Sequence, residues 1–427
     1  MMYTILLYGA TGYSGRLIAA KAAEEWGRNP GKPYRMIVAA RHAGEVADVA
    51  AQFAMAYRAF SLDRRDQVVR NLADIDVVIN AAGPFARTGE RLAKAALDAG
   101  CHYVDINGEV DVYCRLDDLG RYAMQENVRL VCAAGHTATV SELLLEAALT
   151  KLLRPADEDE AGLLGRVRQI DAIRIAMSRV PEISRGSMQT VWRSVREQVT
   201  VVRLGVVSDG RGSGSAEQMV LWHEPVGKLE RLFDFGKVAG DDDATKPRRI
   251  ASVANLVDTL TARLALVRNK VTARTIESYV EADAATRYTY QAGALLAPFL
   301  ALPVTRPLVR AQIQFLPEGP DEADRKKQQH VVLLEIDDAF RRRIIDYRCV
   351  TPSAYTLTAQ LAVAVAEAAA DPQLQPGMQK AGWITPADML LCRLQSQYPQ
   401  GLPTAEQTID WLFGGGGPLR GCILEAR

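Results

Sequence analysis

Apolar runs alternate with amphipathic segments along the first third of the chain. Segments with helical spacing of their apolar positions, such as 14–26, separate runs that are apolar on both faces of an extended strand. These runs are 3–8, 34–41 and 75–83. Strands of this kind are typical of a parallel sheet that helices cover on both sides. The pattern predicts a doubly wound α/β domain of the Rossmann type over residues 1–153.

The pattern changes beyond residue 153. An acidic, glycine-containing stretch, 154–169, predicts a linker, and several strand-like runs follow it. These runs are 170–177, 229–235, 270–282, 310–316, 330–336 and 342–350. They predict an α+β substrate or interface domain with a mostly antiparallel sheet over 154–350. Helical spacing returns after Thr351, which predicts C-terminal helices within 351–427.

Two local signals predict where helices begin. Thr139 and Glu142 have the spacing of a capping box, which predicts a helix that opens at Thr139. Thr385 followed by Pro386 predicts the N-cap and first residue of a late helix.

Composition narrows the class of partner. The 427 residues are 48% hydrophobic and 24% charged, as expected of a globular chain with two sizeable domains. Lysine plus arginine (51) equals aspartate plus glutamate (51), so no net positive field favours nucleic acid or an anionic membrane. A small-molecule substrate is therefore predicted.

The cysteines, histidines and termini predict a cytoplasmic protein without a metal site. No C-x-x-C pair occurs, and the five histidines have no zinc-like spacing with the cysteines. The N-terminus lacks the basic region of a signal peptide. The uncharged stretch 288–305 contains Pro298 and Pro303 and is too polar for a transmembrane segment. Its possible roles are ordinary core, a subunit contact as in a homodimer, a membrane-surface contact, or the lining of an acyl pocket.

Three glycines, Gly9, Gly12 and Gly15, follow the first strand and open the first helix. Glycine permits a close approach of the main chain to a pyrophosphate, which then faces the positive end of the helix dipole. The spacing differs from the usual G-x-G-x-x-G. A tight turn without a ligand is therefore the alternative.

The end of the second strand favours NADP over NAD. Arg41 and His42 occupy this position, and the first acid is Glu45. NAD-binding domains use an acid there for the ribose 2′-OH, whereas an arginine suits the 2′-phosphate of NADP. A solvated arginine at the strand end is the alternative. Asp63, after the third strand, is predicted either to accept a hydrogen bond from adenine or to cap the next helix. Ala81, Ala82 and Gly83 leave room for a dinucleotide at the fourth strand, and close packing of the strand on a helix is the alternative.

These motifs together resemble the saccharopine dehydrogenase-like oxidoreductases, including the branch of trans-acting enoyl reductases. The resemblance rests on "GATGYSG", "AAR", "INAAGPFARTGERLAKAALDAGCHYVDINGE" and the late "YTLTAQLAVAVAEAA" with "GWITPADML". It covers about residues 3–145 and 308–392, and the region between them only loosely. The family implies an NADP-binding Rossmann domain interrupted by a substrate domain, with the final helices packing back on the Rossmann domain.

The resemblance also implies the roles of individual residues. The glycine-rich segment would hold the pyrophosphate, Arg41 the adenosine phosphate, and the segment from Ala82 to Phe85 would line the nicotinamide end. The complete predicted cofactor set is Gly9, Ala10, Thr11, Gly12, Tyr13, Ser14, Gly15, Arg41, His42, Asp63, Ala81, Ala82, Gly83, Pro84, Phe85 and Asp105. Relatives usually continue the sixth strand with phenylalanine, aspartate and a proline, whereas this chain has His136 and Thr137 there. The chemistry at these two positions is therefore expected to differ.

The candidate catalytic residues are His136 and Glu109. Both follow strands whose carboxyl ends form the cleft edge of such a sheet, and histidine is the side chain that ordinarily titrates near neutrality. A hydrogen-bonded structural histidine and a turn-stabilising glutamate are the alternatives. No tyrosine is followed by lysine four places on, which excludes the short-chain dehydrogenase scheme.

The predicted function is an NADP-dependent oxidoreductase, in particular an enoyl or acyl reductase acting on an acyl or lipid-like substrate. An amino-acid-type dehydrogenase and a non-catalytic NADP-binding protein are the alternatives.

Overall fold

The structure is a computed structural model. It describes residues 2–153, 169–180, 182–194, 198–208, 215–225, 228–237, 248–284, 286–288, 317–374, 381–398 and 402–427. Two compact units divide the chain: Met1–Thr139 with Ala354–Pro403, and Val140–Ser353 with Thr404–Arg427. The predicted C-terminal segment 351–427 thus divides near Pro403 between the two units, while the predicted domain boundaries stay a prediction.

The first unit is built on a seven-stranded sheet in which all neighbouring strands are parallel. The strands are β1 (Tyr3–Tyr8), β2 (Tyr34–Ala40), β3 (Ala56–Ala59), β4 (Val77–Asn80), β5 (His102–Asp105), β6 (Arg129–Val131) and β15 (Gly382–Ile384). Their order is β15-β6-β5-β4-β1-β2-β3. The order reverses between β1 and β4, which is the switch point where doubly wound sheets bind ligands. The predicted Rossmann fold is confirmed.

Helices connect these strands because each parallel crossover must return to the same end of the sheet. In the first unit they are α1 (Tyr13–Arg28), α2 (Ala43–Phe53), α3 (Arg65–Leu72), α4 (Phe85–Ala99), α5 (Val110–Asp117), α6 (Gly120–Gln125), α11 (Ala354–Ala370) and α12 (Pro386–Gln395). The alanine-rich helix α11 packs against α1. Its short side chains permit the close approach that buries nearly the whole helix.

Arg129 of β6 holds the end of α11. Its guanidinium donates to the carbonyl oxygens of Ala369 at 2.8 Å and Asp371 at 2.7 Å. The last carbonyls of a helix have no partner within the helix, so a buried arginine satisfies them and complements the negative end of the dipole. The late segment is thereby fixed to the sixth strand of the Rossmann sheet.

The second unit contains a nine-stranded sheet. Its strands are β7 (Gln169–Met177), β8 (Val199–Ser208), β9 (Ser215–Glu224), β10 (Glu230–Asp234), β11 (Arg248–Val253), β12 (Thr272–Glu281), β13 (Gln329–Asp338), β14 (Arg343–Pro352) and β16 (Ile423–Ala426). Among the described strands only β7 and β12 pair in parallel, which confirms the mostly antiparallel sheet. The helices are α8 (Arg185–Ser194), α9 (Asp258–Arg268), α10 (Glu322–Lys327) and α13 (Ala405–Phe413).

Some predictions fall outside the described residues. These are the linker 154–169 apart from Gln169, the uncharged stretch 288–305 apart from Tyr288, and the strand 310–316. Within the part of the chain that the structure describes, no helix combines the length and apolarity needed to cross a membrane.

The predicted start of one helix is wrong. Helix α7 (His136–Leu153) begins three residues before Thr139, so Thr139 and Glu142 do not form a capping box. The Thr139 hydroxyl instead donates to the carbonyl of Ala133 at 3.1 Å. The capping-box spacing is present in the sequence, but the helix begins earlier, at His136, directly after the turn that follows β6.

Candidate functional site

The turn after β1 requires glycine at its first position. Gly9 has a φ of +90°, a conformation that residues with side chains rarely adopt. A Cβ added there would lie 2.6 Å from the backbone nitrogen of Ala82. The main chain after β1 and the main chain after β4 therefore approach each other more closely than any side chain permits.

Gly15 permits close packing of α1 against the turn, and Gly12 leaves space in front of the helix. A Cβ on Gly15 would lie 2.2 Å from the carbonyl oxygen of Gly9, whereas a Cβ on Gly12 would meet only that oxygen, at 3.4 Å. Gly12 is the N-cap of α1, and no side chain caps this end of the helix. These are the three roles that glycines have in dinucleotide turns: a tight turn, access for the pyrophosphate, and helix packing. The turn thus fits a phosphate ligand.

The other residues of the turn differ in exposure. Ala10 is buried, while Thr11, Tyr13 and Ser14 are partly exposed. The ring of Tyr13 packs edge-on against that of Tyr355 on α11, with 5.0 Å between the ring centroids. Helix α11 therefore orients one side chain of the predicted cofactor set.

Arg41 stands exposed at the carboxyl end of β2. It forms no ion pair with any described residue, and His42 beside it is the N-cap of α2 without a side-chain hydrogen bond. Burial raises the pKa of Tyr8 to about 12; the charge of Arg41 opposes this shift and that of Asp63 adds to it. Arg41 and Asp63 thus both act electrostatically on the end of β1.

Asp63 is exposed and bonded to two neighbours. Its carboxylate accepts from the Ser61 hydroxyl at 2.7 Å and from Arg91 of α4 at 2.8 Å, and these bonds lower its pKa. The N-cap of α3 is Arg64 and not Asp63. The capping alternative is therefore wrong, and the adenine contact stays a prediction.

The small residues after β4 form an open loop. Gly83 is exposed, and a Cβ on it would have no atom within 4 Å. Pro84 is the N-cap of α4, and the backbone N–H of Phe85 donates to Glu109 Oε1 at 3.2 Å. Glu109 is only 8% exposed. Its carboxylate therefore complements the positive end of α4.

Asp105 lies beneath this loop. The residue is 0% exposed, and burial raises its pKa to about 6. Its Oδ1 accepts from the backbone N–H groups of Asn107 at 3.0 Å and Ala133 at 2.8 Å, and its Oδ2 accepts from the Tyr103 hydroxyl at 3.0 Å. Asp105 thus orients the loops after β5 and β6. These bonds stabilise the turns after the two strands, and the contact of Asp105 with a ligand stays a prediction.

Asn80 completes this group at the end of β4. Its Nδ2 donates to the Tyr103 hydroxyl at 3.0 Å, and its Oδ1 accepts from the Ala82 N–H at 3.1 Å. Neither Asn80 nor Tyr103 is among the site residues predicted from the sequence. An asparagine that ends an apolar strand was the available signal, because a buried amide needs partners.

His136 is the first residue of α7 and 6% exposed. Its backbone N–H donates to Thr358 Oγ1 of α11 at 3.0 Å. The residue thus follows β6 at the same edge of the sheet as the loops after β4 and β5. No group of three metal-binding side chains occurs among the described residues.

The sheet order and the glycine turn define a dinucleotide-binding protein. Residues 5–138 match the family of saccharopine dehydrogenase NADP binding domains. This part of the chain therefore resembles the NADP-binding domains of saccharopine dehydrogenases, which confirms the predicted resemblance and the predicted cofactor class.

Sequence relatives point to one branch. A trans-acting enoyl reductase of Mycobacterium tuberculosis (strain H37Rv) is 29% identical over 169 residues, which are 38% of each chain. The corresponding protein of Mycobacterium ulcerans is 28% identical over 178 residues, which are 39% of this chain and 40% of the relative. The alignable part thus spans about 38% of the length of the first relatives.

Solved structures share the fold over nearly the whole chain. Apo saccharopine dehydrogenase (L-Glu forming) of Saccharomyces cerevisiae has a TM-score of 0.55 at 12% identity, covering 93% of this chain and 98% of the yeast chain. Homospermidine synthase of Legionella pneumophila, in complex with NAD, has a TM-score of 0.55 at 11% identity. The match covers 100% of this chain and 91% of the Legionella chain. At this identity the likeness concerns the fold alone.

Proposed function

We propose that this protein is an NADP(H)-dependent oxidoreductase that reduces an enoyl or related acyl group. The observation that carries the proposal is Arg41, an exposed cation without an ion pair among the described residues, at the strand end that reads the adenosine ribose. The matched family and the shared fold belong to dehydrogenases and reductases.

The residues around the glycine turn would hold the cofactor. The main chain at Gly12 and the uncapped start of α1 offer a positive dipole end to the pyrophosphate. Arg41 offers a planar guanidinium to the 2′-phosphate, with His42 beside it. Asp63, held by Ser61 and Arg91, is the candidate partner of adenine. The open loop from Ala81 to Phe85 is the candidate surface for the nicotinamide end.

The bound cofactor would supply a hydride. The chain itself must then deliver a proton to the atom that accumulates negative charge. His136 is our candidate donor, because it follows β6 at the sheet edge where ligands bind. Glu109 would act through Phe85, since its carboxylate accepts the first N–H of α4 and so fixes the loop before that helix. Glu109 is therefore a positioning residue in this scheme.

The acyl class of substrate rests on the names of the mycobacterial relatives, which are trans-acting enoyl reductases. The alignment with these relatives covers about 38% of their length. The proposed substrate class therefore rests on similarity in that aligned part alone. We also propose a cytoplasmic location and a homodimer, on the composition and on the uncharged stretch 288–305.

Cofactor titration tests the proposal. Binding of NADPH and NADH is measured by fluorescence for wild type, Arg41→Ala and the control Arg121→Ala, another exposed arginine without an ion pair among the described residues. We expect wild type to prefer NADPH and Arg41→Ala to lose roughly 10- to 100-fold in NADPH affinity alone, as for a charge-assisted pair. Equal affinities for both cofactors in wild type, or equal losses in both variants, would overturn the assignment of Arg41.

A turnover screen tests the reaction class. NADPH oxidation is followed with enoyl thioesters in one series and with 2-keto acids plus amines in another. Turnover in the first series alone supports an enoyl reductase, and turnover in the second alone supports an amino-acid-type dehydrogenase. NADPH binding without turnover in either series contradicts both activities.

A further inference from the structure

A buried chain of hydrogen bonds connects the loop after β4 to the loops after β5 and β6. We name it the Tyr103 chain and define it by Asn80, Tyr103 and Asp105, which are each 0% exposed. Resting on the proposed function, we infer that Tyr103 is a positioning residue that fixes the loop from Ala82 to Phe85 in its ligand-binding geometry.

The direction of each hydrogen bond follows from the one before it. Asp105 already accepts two backbone N–H groups, and its other oxygen accepts the proton of the Tyr103 hydroxyl. The phenolic oxygen can then only accept, so Asn80 must turn its amide nitrogen toward it. The amide oxygen of Asn80 is thereby left to face the backbone N–H of Ala82.

The Tyr103 hydroxyl and the N–H of Ala82 therefore orient Asn80 together, one at each end of its amide. Without the hydroxyl, only the N–H of Ala82 orients the amide of Asn80, because a flipped amide would place its NH₂ group against that N–H. A donor that faces a donor leaves both without partners in a buried site. The buried NH₂ group of Asn80 would then lack an acceptor, so the hydroxyl strengthens the attachment of the loop to β4.

The loop is also held from its helix side. The Thr88 hydroxyl of α4 donates to the carbonyl of Ala82 and lies 3.4 Å from the carbonyl of Pro84. At the far end of the loop, Glu109 accepts the N–H of Phe85. Gly83, between these attachment points, has no neighbouring atom within 4 Å of a Cβ position. A loop fixed on both sides with an open centre is suited to present its backbone to a ligand.

Burying three polar side chains is costly unless they are hydrogen-bonded, and a fully bonded buried chain favours one conformation. A phenylalanine at 103 would fill the same space without a hydroxyl to satisfy. A complete polar chain that ends on the first N–H of an open loop points to positioning and not to core packing alone.

Two variants test the inference in the full-length chain. Tyr103→Phe removes only the hydroxyl, and Thr88→Val removes the helix-side attachment with little change in shape. Tyr347→Phe is the matched control, because Tyr347 is also buried on a strand but belongs to the second unit. Three quantities are measured: NADPH affinity, affinity for adenosine 2′,5′-bisphosphate, and hydrogen–deuterium exchange of peptides spanning 81–86 without ligand.

We expect Tyr103→Phe to weaken NADPH binding about 5- to 10-fold, as for the loss of one or two buried hydrogen bonds. The fragment lacks the nicotinamide half, so its affinity should stay within about twofold, since the loss of one loop contact does not reach the adenosine side. Exchange at 81–86 should become faster in Tyr103→Phe and in Thr88→Val but not in Tyr347→Phe.

Unchanged exchange at 81–86 in Tyr103→Phe would overturn the inference, as would equal losses for NADPH and for the fragment. If Tyr103→Phe does not fold, the same comparison in Asn80→Ala decides it, because Asn80 is the side chain through which Tyr103 reaches the loop. If wild type binds neither ligand, the proposed function fails, whereas the exchange measurement still decides whether Tyr103 holds the loop.

Discussion

The carboxylate oxygen Oε1 of Glu367 lies 2.8 Å from the indole nitrogen of Trp26, although 341 positions separate the two residues in the chain. Lys32 donates to the same oxygen at 2.8 Å, and Arg393 lies 3.3 Å from Oε2. A single buried carboxylate on α11 thus connects α1, the segment before β2 and α12. This contact anchors the late helices to the Rossmann sheet.

Removing the charge of Glu367 should destabilise the first unit. Glu367→Gln keeps the size and one acceptor for Trp26 but leaves Lys32 and Arg393 without their anion. Because both cations are partly exposed, we expect a loss of about 1–3 kcal/mol in the free energy of unfolding, measured by urea denaturation. Glu322→Gln, which breaks an exposed pair with Lys326, is the control and should leave the midpoint unchanged. Equal midpoints for Glu367→Gln and wild type would contradict the anchoring role.

The third glycine of the turn should not tolerate a methyl group. In Gly15→Ala the new Cβ would meet the carbonyl oxygen of Gly9 at 2.2 Å, so the start of α1 must move away from the turn. We expect a destabilisation of about 1–3 kcal/mol and at least tenfold weaker NADPH binding.

Gly27→Ala provides the matched control in the same helix. No atom lies within 4 Å of its added Cβ, so it should stabilise the chain by about 0.5–1 kcal/mol through helix propensity. Thermal unfolding and NADPH titration of both variants check these expectations. Normal NADPH affinity in Gly15→Ala would show that the turn is not the phosphate site.

Asp258 should make the second unit less stable as pH rises. The residue is buried, the Ser141 hydroxyl donates to its Oδ1, and Oδ2 has no hydrogen-bond partner among the described residues. Burial raises its pKa to about 6, so between about pH 4 and 6 the folded chain holds a proton that the unfolded chain releases. Stability from this group therefore falls over that window and stays low above it.

Asp258→Asn should remove this dependence. Relative to wild type, the variant should gain stability as the pH rises from 4 to 7, by at most about 3 kcal/mol. Urea denaturation at a series of pH values measures the difference. Ser141→Ala should shift the window to higher pH, because it removes a hydrogen bond that favours the ionised carboxylate. A constant difference between Asp258→Asn and wild type at all pH values would argue against a raised pKa.

His136→Ala tests the proposed proton donor. If His136 delivers the proton, turnover should fall roughly 10²- to 10⁴-fold while NADPH affinity stays nearly unchanged. The backbone bond from residue 136 to Thr358 persists in the variant, so the start of α7 should be preserved. His223→Ala, at an exposed position on β9, is the control. Normal turnover in His136→Ala, measured with the substrate from the screen, would assign His136 a structural role.

The sequence by itself determined the Rossmann sheet and the glycine turn. Strands such as β1 and β4 are apolar on both faces because helices cover both sides of the sheet. Such burial produces a continuous apolar run that is visible in the sequence. The requirement for glycine at Gly9 and Gly15 is equally local in origin, since it follows from a turn between one strand and the next helix. The sequence also predicts that Arg41 lies at the end of a strand, because the apolar run of β2 stops there.

Only the tertiary structure decided the partners of the buried polar residues. Tyr103 looks like core and Asp105 like a ligand contact when β5 is considered alone, but β4 and β6 lie on either side of it and supply Asn80 and the N–H of Ala133. Glu109 likewise accepts a hydrogen bond from the start of α4. Thr139 does not cap α7, because this helix begins at His136. The physical reason is that a sequence pattern encodes burial and backbone preference within a segment. The acceptor that a buried donor finds depends instead on which distant strands become neighbours.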